Sequence, residues 1–553
     1  MKSLLSVLLL VFCLSSCNRC STEKPRVDLV ESPADVQVHV EEQIANQLQV
    51  KNGQPPSSLH ISTTDILATS HVLAVYEKEK NSVQWSARGQ LNANADTLLK
   101  ILHQARDYGL IAKDYHVLVI DSLLRTALDA KTKKTNAVNL AQADILLTDA
   151  FFVFATHLNK GRLRADTILP AFKITEVKKN LDSLYTLARQ KRNFRACFDS
   201  LEPHNEQYHL LKAQLQKFRM QWEQHPWETL LPIEKDTVAF YRSLKHLLIQ
   251  TRDYDSTVKG NDSVKISKAL KVFQKRYDLD TDGKLGKNTM RILHMTTEQR
   301  IRQIEVNMER LRMEPDHYPK RYLWVNIPQF EMKVMNDDTL FMNSRVVVGL
   351  PEKQTPLLES KIQYIMLYPY WNVPNSIATK EILPVLKRDT SYLRKKNFDV
   401  LDWHGNVVDP ATINWKNYTE KHLPYRFRQR EGEDNSLGIM KFNFTNKFGV
   451  YLHDTNSKKY FKRDVRALSH GCMRLENYMD LAKYLIRDDS VKYPVDSLLT
   501  DILKQQQKQV NLKKPLPIFT KYFSAVVDEE GTLKLFMDVY RRDELTERVL
   551  YRD

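Results

Sequence analysis

The sequence predicts a multidomain α+β chain: a helical front, a small helical unit behind it, and a β-rich back broken by one long insertion. Three observations carry this. Apolar residues recur at helical spacing within residues 59–235. From Tyr322 onward the period changes to two. Glycine is scarce, 14 in 553 residues, and half of these lie from Gly349 onward, which marks a turn-rich back. At one domain per ~150 residues, the chain holds three or four. Its 27% charged and 42% apolar residues exclude a disordered chain, and five cysteines are too few for a disulfide scaffold. Lys plus Arg is 83 against 67 Asp plus Glu, a net charge of +16 spread along the chain. That surplus is a solvated surface, or it attracts a polyanion: nucleic acid, anionic lipid or cell wall. Compartment decides among these.

The N-terminus sets the expected compartment. Met1-Lys2 precedes an apolar run from Leu4 to Leu14, of signal-peptide length and too short to span a bilayer comfortably. The run ends in Leu14-Ser15-Ser16-Cys17, which resembles a bacterial lipobox. Residues 1–16 then form a lipoprotein signal peptide, and Cys17 is the lipidation site; an ordinary cleaved signal is the competing reading. The expected localisation is export, as a periplasmic lipoprotein anchored to the membrane by an N-terminal lipid. That argues against nucleic acid as a partner. Residues 17–58 are polar, contain Pro25, Pro33, Pro55 and Pro56, and read as a tether. Cys20, Cys197 and Cys472 remain, an odd number, so at least one thiol is free or pairs with another chain.

In the helical front, 59–235, Leu140, Ala143, Leu147, Phe151, Phe154 and Leu158 mark one helix face, with Gly161 as its stop. Ile145, Leu146, Phe152 and Val153 occupy other faces, so this helix is expected to be buried on several sides. No titratable cluster with catalytic spacing occurs here. Residues 236–296 form the smaller unit. Ile266, Ala269, Leu270, Phe273 and Tyr277 share a helix face, Asp282-Gly283 makes a turn, and Gly286 precedes a short helix with Thr289, Ile292 and Leu293. Asp278, Asp280 and Asp282-Gly283 suggest a calcium loop, but Thr289 stands where a bidentate Glu is required, which rules that reading out. The string Ala269-Leu270-x-x-Phe273-Gln274-x-x-Tyr277-x-Leu279-x-x-Asp282-Gly283-x-x-Gly286-x-x-Thr289 resembles the type 1 peptidoglycan-binding domain. The resemblance implies a helical module docking on wall glycan or stem peptide. A packing module that has lost its ligand is the alternative.

Residues 297–553 form the β-rich domain. Thr296 to Gln299 fits a capping box, Ile301, Ile304, Met308 and Leu311 continue one helix face, and Pro315 stops it. Tyr322–Ile327, Arg345–Gly349, Ile362–Tyr368, Ile439–Phe444 and Gly449–His453 read as strands. A polar, aromatic-rich insertion at about 376–435 interrupts them, and a long insertion in a sheet domain is often a lid. Phe519–Val527 and Leu533–Val539 flank Asp528-Glu529-Glu530-Gly531, a hairpin signal.

The chemistry lies in Tyr451-Leu452-His453-Asp454-Thr455 and Ser469-His470-Gly471-Cys472-Met473-Arg474. A cysteine nucleophile needs a base, oxyanion donors and an orienter for the base. His453 falls at a strand end, where a ring is held rigidly. Cys472 follows a glycine at the turn into an apparent helix with Tyr478, Leu481, Ala482 and Leu485, whose N-terminus would lower the thiol pKa. Gly471 permits close backbone approach, and Arg474 holds a carboxylate as a bidentate pair. A lone cysteine is most often core packing and a lone histidine a satisfied polar group. Together, in an exported chain with an odd thiol, they read as catalytic. No further Cys or His lies at zinc spacing, so neither metal nor cofactor is expected, and His404 and His422 read as surface residues.

His453 followed by Ser469-His470-Gly471-Cys472-x-Arg474 closely resembles the signature of L,D-transpeptidases with a YkuD-type catalytic domain. Arg302-x-x-x-x-Asn307-x-x-Arg310, Trp371-Asn372-Val373-Pro374-x-Ser376-Ile377-Ala378, Asn435-Ser436-Leu437-Gly438-x-x-Lys441-Phe442 and His453-Asp454-Thr455 are similar to the large, YcbB-like subgroup. One difference is His470, where some members carry serine. The resemblance implies a helical scaffold domain, a β-rich catalytic domain with a mobile capping loop, and no cofactor. It implies that Cys472 attacks the third residue of a peptidoglycan stem, releases D-Ala, and passes the acyl group to a neighbouring amine as a 3–3 cross-link. His453 then moves the proton, the Asp454 carbonyl orients it, and backbone N–H groups around Gly471 and Cys472 form the oxyanion hole. Arg474, His470, Ser469, Tyr451, Trp371 and Asn372 are the expected substrate contacts. Stem peptide and glycan are the expected partners, with other wall synthases possible for the helical front. The alternatives are an L,D-carboxypeptidase, a catalytically silent wall-binding lipoprotein, and an enzyme that attaches proteins to the wall.

Overall fold

The structure, a computed structural model, describes residues 28–48, 59–127, 134–163 and 179–551, except 225, 228–229, 233–235 and 338. Cys17 and Cys20 lie outside the described residues. The chain divides into two units: residues up to 104 with 111–154 and 180–197, and residues 105–110, 155–179 and 198–553.

The first unit begins earlier than the sequence suggests. Within the expected tether, Leu29–Val30 pairs with Thr135–Asn136, and helix α1, Pro33–Gln47, buries Val36, Val40 and Ile44. These three apolar residues at a four-residue spacing make one packing stripe, so the tether reading fails for 28–48. Helix α2, Ala137–Lys160, buries all the expected apolar residues, and Gly161 ends it at φ +80°. It is long and apolar enough to cross a bilayer, but its burial marks a core helix. Its buried polar groups are all engaged. Asp144 accepts from the Tyr76 hydroxyl at 2.6 Å and from the Gln84 and Trp85 N–H groups at 3.0 and 2.8 Å. Thr148 accepts from Trp85 Nε1 at 2.8 Å, and Asp149 accepts from Ala68 N at 2.6 Å.

The second unit takes in the end of the expected helical front. In the first turn of helix α3, Glu206–Trp222, the Gln207 amide exchanges two hydrogen bonds with the Val527 backbone at 2.8 and 3.0 Å. Residues 198–222 therefore fold with the β-rich part of the chain. The small unit opens with a helix at Thr237–Gln250, followed by α4, Asp262–Arg276, and α5, Lys287–Leu293, with Gly286 capping the last. Gln274 fixes the loop between them. It donates to Asp282, the Lys284 carbonyl and Thr289 at 2.9, 3.0 and 3.2 Å, and accepts from Gly283 N at 2.8 Å. Gly283 sits at φ +72°, where a Cβ would lie 2.7 Å from the Ser267 carbonyl oxygen. The polar residues of the motif thus hold the turn.

Helix α6, Thr297–Arg312, has the expected capping box, and its apolar face is buried. The polar face is buried too. Arg300 donates to the Tyr277 hydroxyl and the Ile292 carbonyl at 2.8 and 2.7 Å, Arg310 pairs with Asp543 at 2.5 Å, and Arg312 with Glu309 at 3.1 Å.

Nine strands form the main sheet: β1 Arg321–Asn326, β2 Glu331–Asn336, β3 Thr339–Gly349, β4 Leu358–Leu367, β5 Met440–Phe444, β6 Leu452–His453, β7 Ala467–Ser469, β8 Met473–Leu475 and β9 Lys508–Lys521. Their order is β7-β3-β8-β6-β5-β4-β9-β1-β2, and β2 also pairs with β3, which closes the sheet like a barrel. Leu323, Val325, Val334, Ile365, Phe442, Leu452, Met473 and Ile518 fill its core, with Leu481 and Leu485 of helix α7, Tyr478–Ile486, packed on it.

Three expectations are corrected. The Gly449–His453 strand shortens to Leu452–His453, because Asn446 Oδ1 accepts from Phe448 N and Val450 N at 3.0 and 3.1 Å and holds a turn. The Phe519–Val527 strand breaks after Lys521, where Asn326 and Asn307 take the Phe523 and Ser524 N–H groups at 2.9 Å each; Ala525–Val527 then pairs with Leu533–Leu535. Cys472 does not open a helix: β8 follows it, and α7 starts only at Tyr478.

The insertion folds as a small body with its own core. Trp371–Asn372, Arg426–Gln429, Phe398–Leu401 and Val407–Val408 form a four-stranded sheet in that order. Ala378, Leu383, Leu386, Val400, Trp415 and Phe427 pack beneath it. Its first strand begins at Trp371, ahead of the expected 376.

Candidate active site

Side chains alternate along β5, β6 and β8. Phe442, Leu452 and Met473 enter the barrel core, so Lys441, His453 and Arg474 take the opposite face. The register aligns these three, with Lys441 opposite His453 and His453 opposite Arg474. The imidazole is therefore flanked by two cations. Cys472 precedes β8 and Tyr451 precedes β6, so both reach the same end of the row.

Backbone contacts fix the His453 imidazole. His453 Nδ1 bonds the Asp454 carbonyl oxygen at 2.5 Å, which sets Nδ1 as the donor of a neutral ring. The Asp454 carboxylate accepts from Ile439 N at 3.0 Å and from Lys458. It fills the space beside Gly438, φ +59°, where a Cβ would lie 2.2 Å from Oδ2. Burial, with the charge of Arg474 and Lys441, pushes His453 down to about 3, against the Asp454 and Leu437 carbonyls. The ring is neutral at neutral pH.

The loop that carries Cys472 is held from two sides. Ser469 Oγ donates to the Cys472 carbonyl at 2.6 Å and accepts from Gly471 N at 3.1 Å. The Gly471 N–H, expected at the oxyanion, is thus engaged within the loop. Gly471 has φ +114°, a conformation that favours glycine. Its carbonyl accepts from Thr355 Oγ1 at 2.8 Å, Thr355 N donates to the Tyr540 hydroxyl at 3.1 Å, and that hydroxyl donates to the Gly349 carbonyl at 2.7 Å. Burial pushes the Cys472 thiol up, against the Tyr451 N–H and hydroxyl and the charges of Lys441 and Arg474. The lowered thiol pKa expected from a helix N-terminus does not hold, because no helix begins there. Among the described residues, no hydrogen bond joins the His453 ring to Cys472 Sγ.

The remaining expected residues divide between site and frame. The Tyr451 ring lies 5.6 Å from that of His453, and its hydroxyl is paired with Cys472 and Trp371. Asn372 pairs with Arg428 at the edge of the insertion. His470 Nε2 meets Glu381 Oε1 of the insertion at 2.5 Å, and Lys353 Nζ reaches the same carboxylate at 3.0 Å. Glu381 sits in a π-helical turn, Ala378–Ile382. The Arg474 guanidinium lies 5.6 Å from the Tyr460 ring centroid, and no carboxylate among the described residues pairs with it. Sequence reasoning missed Thr355, Tyr540, Glu381 and the placement of Lys441. Only Lys441 had a signal, as part of the Asn435–Phe442 string.

Residues 34–215 match the family described as "Scaffold domain", 239–293 that described as "Putative peptidoglycan binding domain", and 320–493 that described as "L,D-transpeptidase catalytic domain", YkuD. The chain is 35% identical over 240 residues to a Haemophilus influenzae protein named "Putative L,D-transpeptidase", a match covering 43% of this chain and 48% of the relative. The chain therefore spans about half the length of that curated relative. With Cys472 and His453 gathered on one sheet face, the chain carries a YkuD L,D-transpeptidase catalytic domain, with a scaffold domain and a peptidoglycan-binding domain ahead of it.

Proposed function

We propose that the chain is a peptidoglycan L,D-transpeptidase forming 3–3 cross-links through a thioester on Cys472. The observation that carries this reading is a partly buried thiol and a neutral, carbonyl-oriented imidazole at the same end of one sheet face. Both groups rest neutral, so attack and proton transfer are coupled. Sγ bonds the carbonyl carbon of the third stem residue as its proton passes to His453 Nε2. The C–N bond to the terminal D-Ala then breaks, and its amine leaves with that proton. A side-chain amine of a second stem attacks the thioester, gives its proton to His453, and frees the Sγ leaving group, which recovers its proton. With Gly471 N–H bound to Ser469, the Cys472 N–H and the Tyr451 hydroxyl serve the oxyanion. Arg474 binds the donor, and Trp371 and Asn372 line its path under the insertion. His470 acts through Glu381 to seat the insertion over the site.

The same reading holds the protein in the periplasm by a lipid on Cys17, with the wall-binding module presenting substrate and the scaffold domain free to meet other synthases. Labelling with a radioactive fatty acid, lost on Cys17→Ala, tests the anchor. The activity is tested with disaccharide-tetrapeptide substrate, the wild-type chain and Cys472→Ala, by mass spectrometry. A dimer lighter than two substrates by one D-Ala, absent with the variant, is expected. Monomer shortened by D-Ala alone would make the chain a carboxypeptidase, and no acylation of Cys472 would make it a silent wall-binding protein.

A further inference from the structure

Buried cations in this unit usually have partners. Arg310 has Asp543, Arg312 has Glu309, and Lys521 has Glu314 at 2.7 Å. Lys441 does not. Its ammonium is half-buried and lies 3.9 Å from the Tyr451 ring centroid, and among the described residues no carboxylate or hydrogen-bond acceptor meets it. Arg474, two strands away on the same row, is likewise without a carboxylate. Two unpaired cations on either side of His453 disfavour its charged form, so they are not arranged to help the base hold a proton. Two cations left without counter-ions on one sheet face beside Cys472 are arranged for an anion that arrives with the substrate.

We infer that Lys441 is a specificity-determining residue: with Arg474 it forms a two-cation cradle for the C-terminal carboxylate of the departing residue. The inference rests on the proposed function, since it needs a stem peptide as donor. A free carboxylate lies on the residue that leaves after a tetrapeptide is attacked, so a cradle beside the thiol selects donors that end one residue beyond the acylated centre. A longer stem would place a neutral peptide group there. The aromatic floor supplied by Tyr451 keeps the ammonium extended and limits its hydration, which raises the cost of leaving it without an anion.

The test measures acylation of Cys472 by intact-protein mass spectrometry on the full chain. The donors are a disaccharide-tetrapeptide and the same molecule with its C-terminal carboxylate converted to an amide. The wild type is expected to react at least ~10-fold faster with the acid, the scale of one charge-assisted contact. In Lys441→Met the acid-to-amide ratio is expected to fall by about tenfold, while Lys441→Arg restores most of it. An unchanged ratio in Lys441→Met, with acylation still occurring, overturns the inference and leaves the proposed function standing. An equal loss on both donors overturns it as well, because the residue then serves the thiol. Wild type unreactive toward both donors overturns the proposed function and this inference together. Thermal unfolding of each variant separates a misfolded protein from a changed ratio, and Lys441→Arg carries the comparison if Lys441→Met does not fold.

Discussion

Helix α6 and the row on β5, β6 and β8 both bury charge, and they do it in opposite ways. On α6 every named arginine ends on an acceptor: Arg300 on Tyr277 and Ile292, Arg310 on Asp543, Arg312 on Glu309. On the row, Lys441 and Arg474 face aromatic rings, and no carboxylate among the described residues answers them. The first arrangement is how a protein makes buried charge tolerable in a fixed structure. The second leaves an electrostatic demand for a ligand to meet. The helix arginines each find an acceptor, whereas Lys441 and Arg474 find none among the described residues.

Breaking the helix arrangement gives the largest expected change in stability. Arg310→Met leaves Asp543 buried without its partner and is expected to cost about 3–5 kcal/mol, read from urea unfolding. A cost below ~1 kcal/mol would show that the pair contributes little. The pH dependence sharpens the other side of the comparison. The imidazole of His453 titrates at about 3 in the folded chain and, by its ordinary value, near 6.5 in the unfolded one. Between those values the unfolded state holds the extra proton, so this stabilisation is full above ~6.5 and is lost progressively as pH falls toward 3. Moving from pH 7 to pH 5, His453→Gln is expected to lose about 2 kcal/mol less stability than the wild type. Equal losses would place the imidazole in an ordinary environment. The smallest effect belongs to the unpaired cation. Lys441→Met removes a half-buried charge with no partner, and its unfolding free energy is expected to stay within ~1 kcal/mol of wild type or to rise. A loss like that of Arg310→Met would reveal a structural partner for the ammonium.

The row and the helix were not equally legible. Helix α2, the capping box of α6, helices α4 and α5 and the Cys472/His453 pair follow from local pattern, because each is encoded within a few turns or by a short string, whereas the helix Thr237–Gln250 went unread. The burial of the polar face of α6 did not follow, since its partners come from the distant residues Ser524, Phe536 and Asp543. The strand break after Lys521 was hidden for the same reason: its cause is Asn307 and Asn326, far upstream. Strand β8 has three residues, too short for its alternation to stand out, and the next apolar period drew Cys472 onto a helix it does not join. The first turn of α1 was masked by prolines that read as tether, although Pro33 occupies a first helical position, where proline is favoured. The role of Lys441 needed the register of β5 against β6, which no periodicity supplies.

The bond from the Tyr540 hydroxyl to the loop that carries Cys472 has a consequence in time. Strand β9, which lies between β4 and β1, and Tyr540 both come after Cys472 in the chain. A ribosome makes the thiol before it makes either the strand that completes the sheet or the hydroxyl that helps hold Thr355 against Gly471. A nascent chain therefore possesses the Cys472 thiol before the contacts that hold its loop, and that geometry arrives only with segments synthesised later.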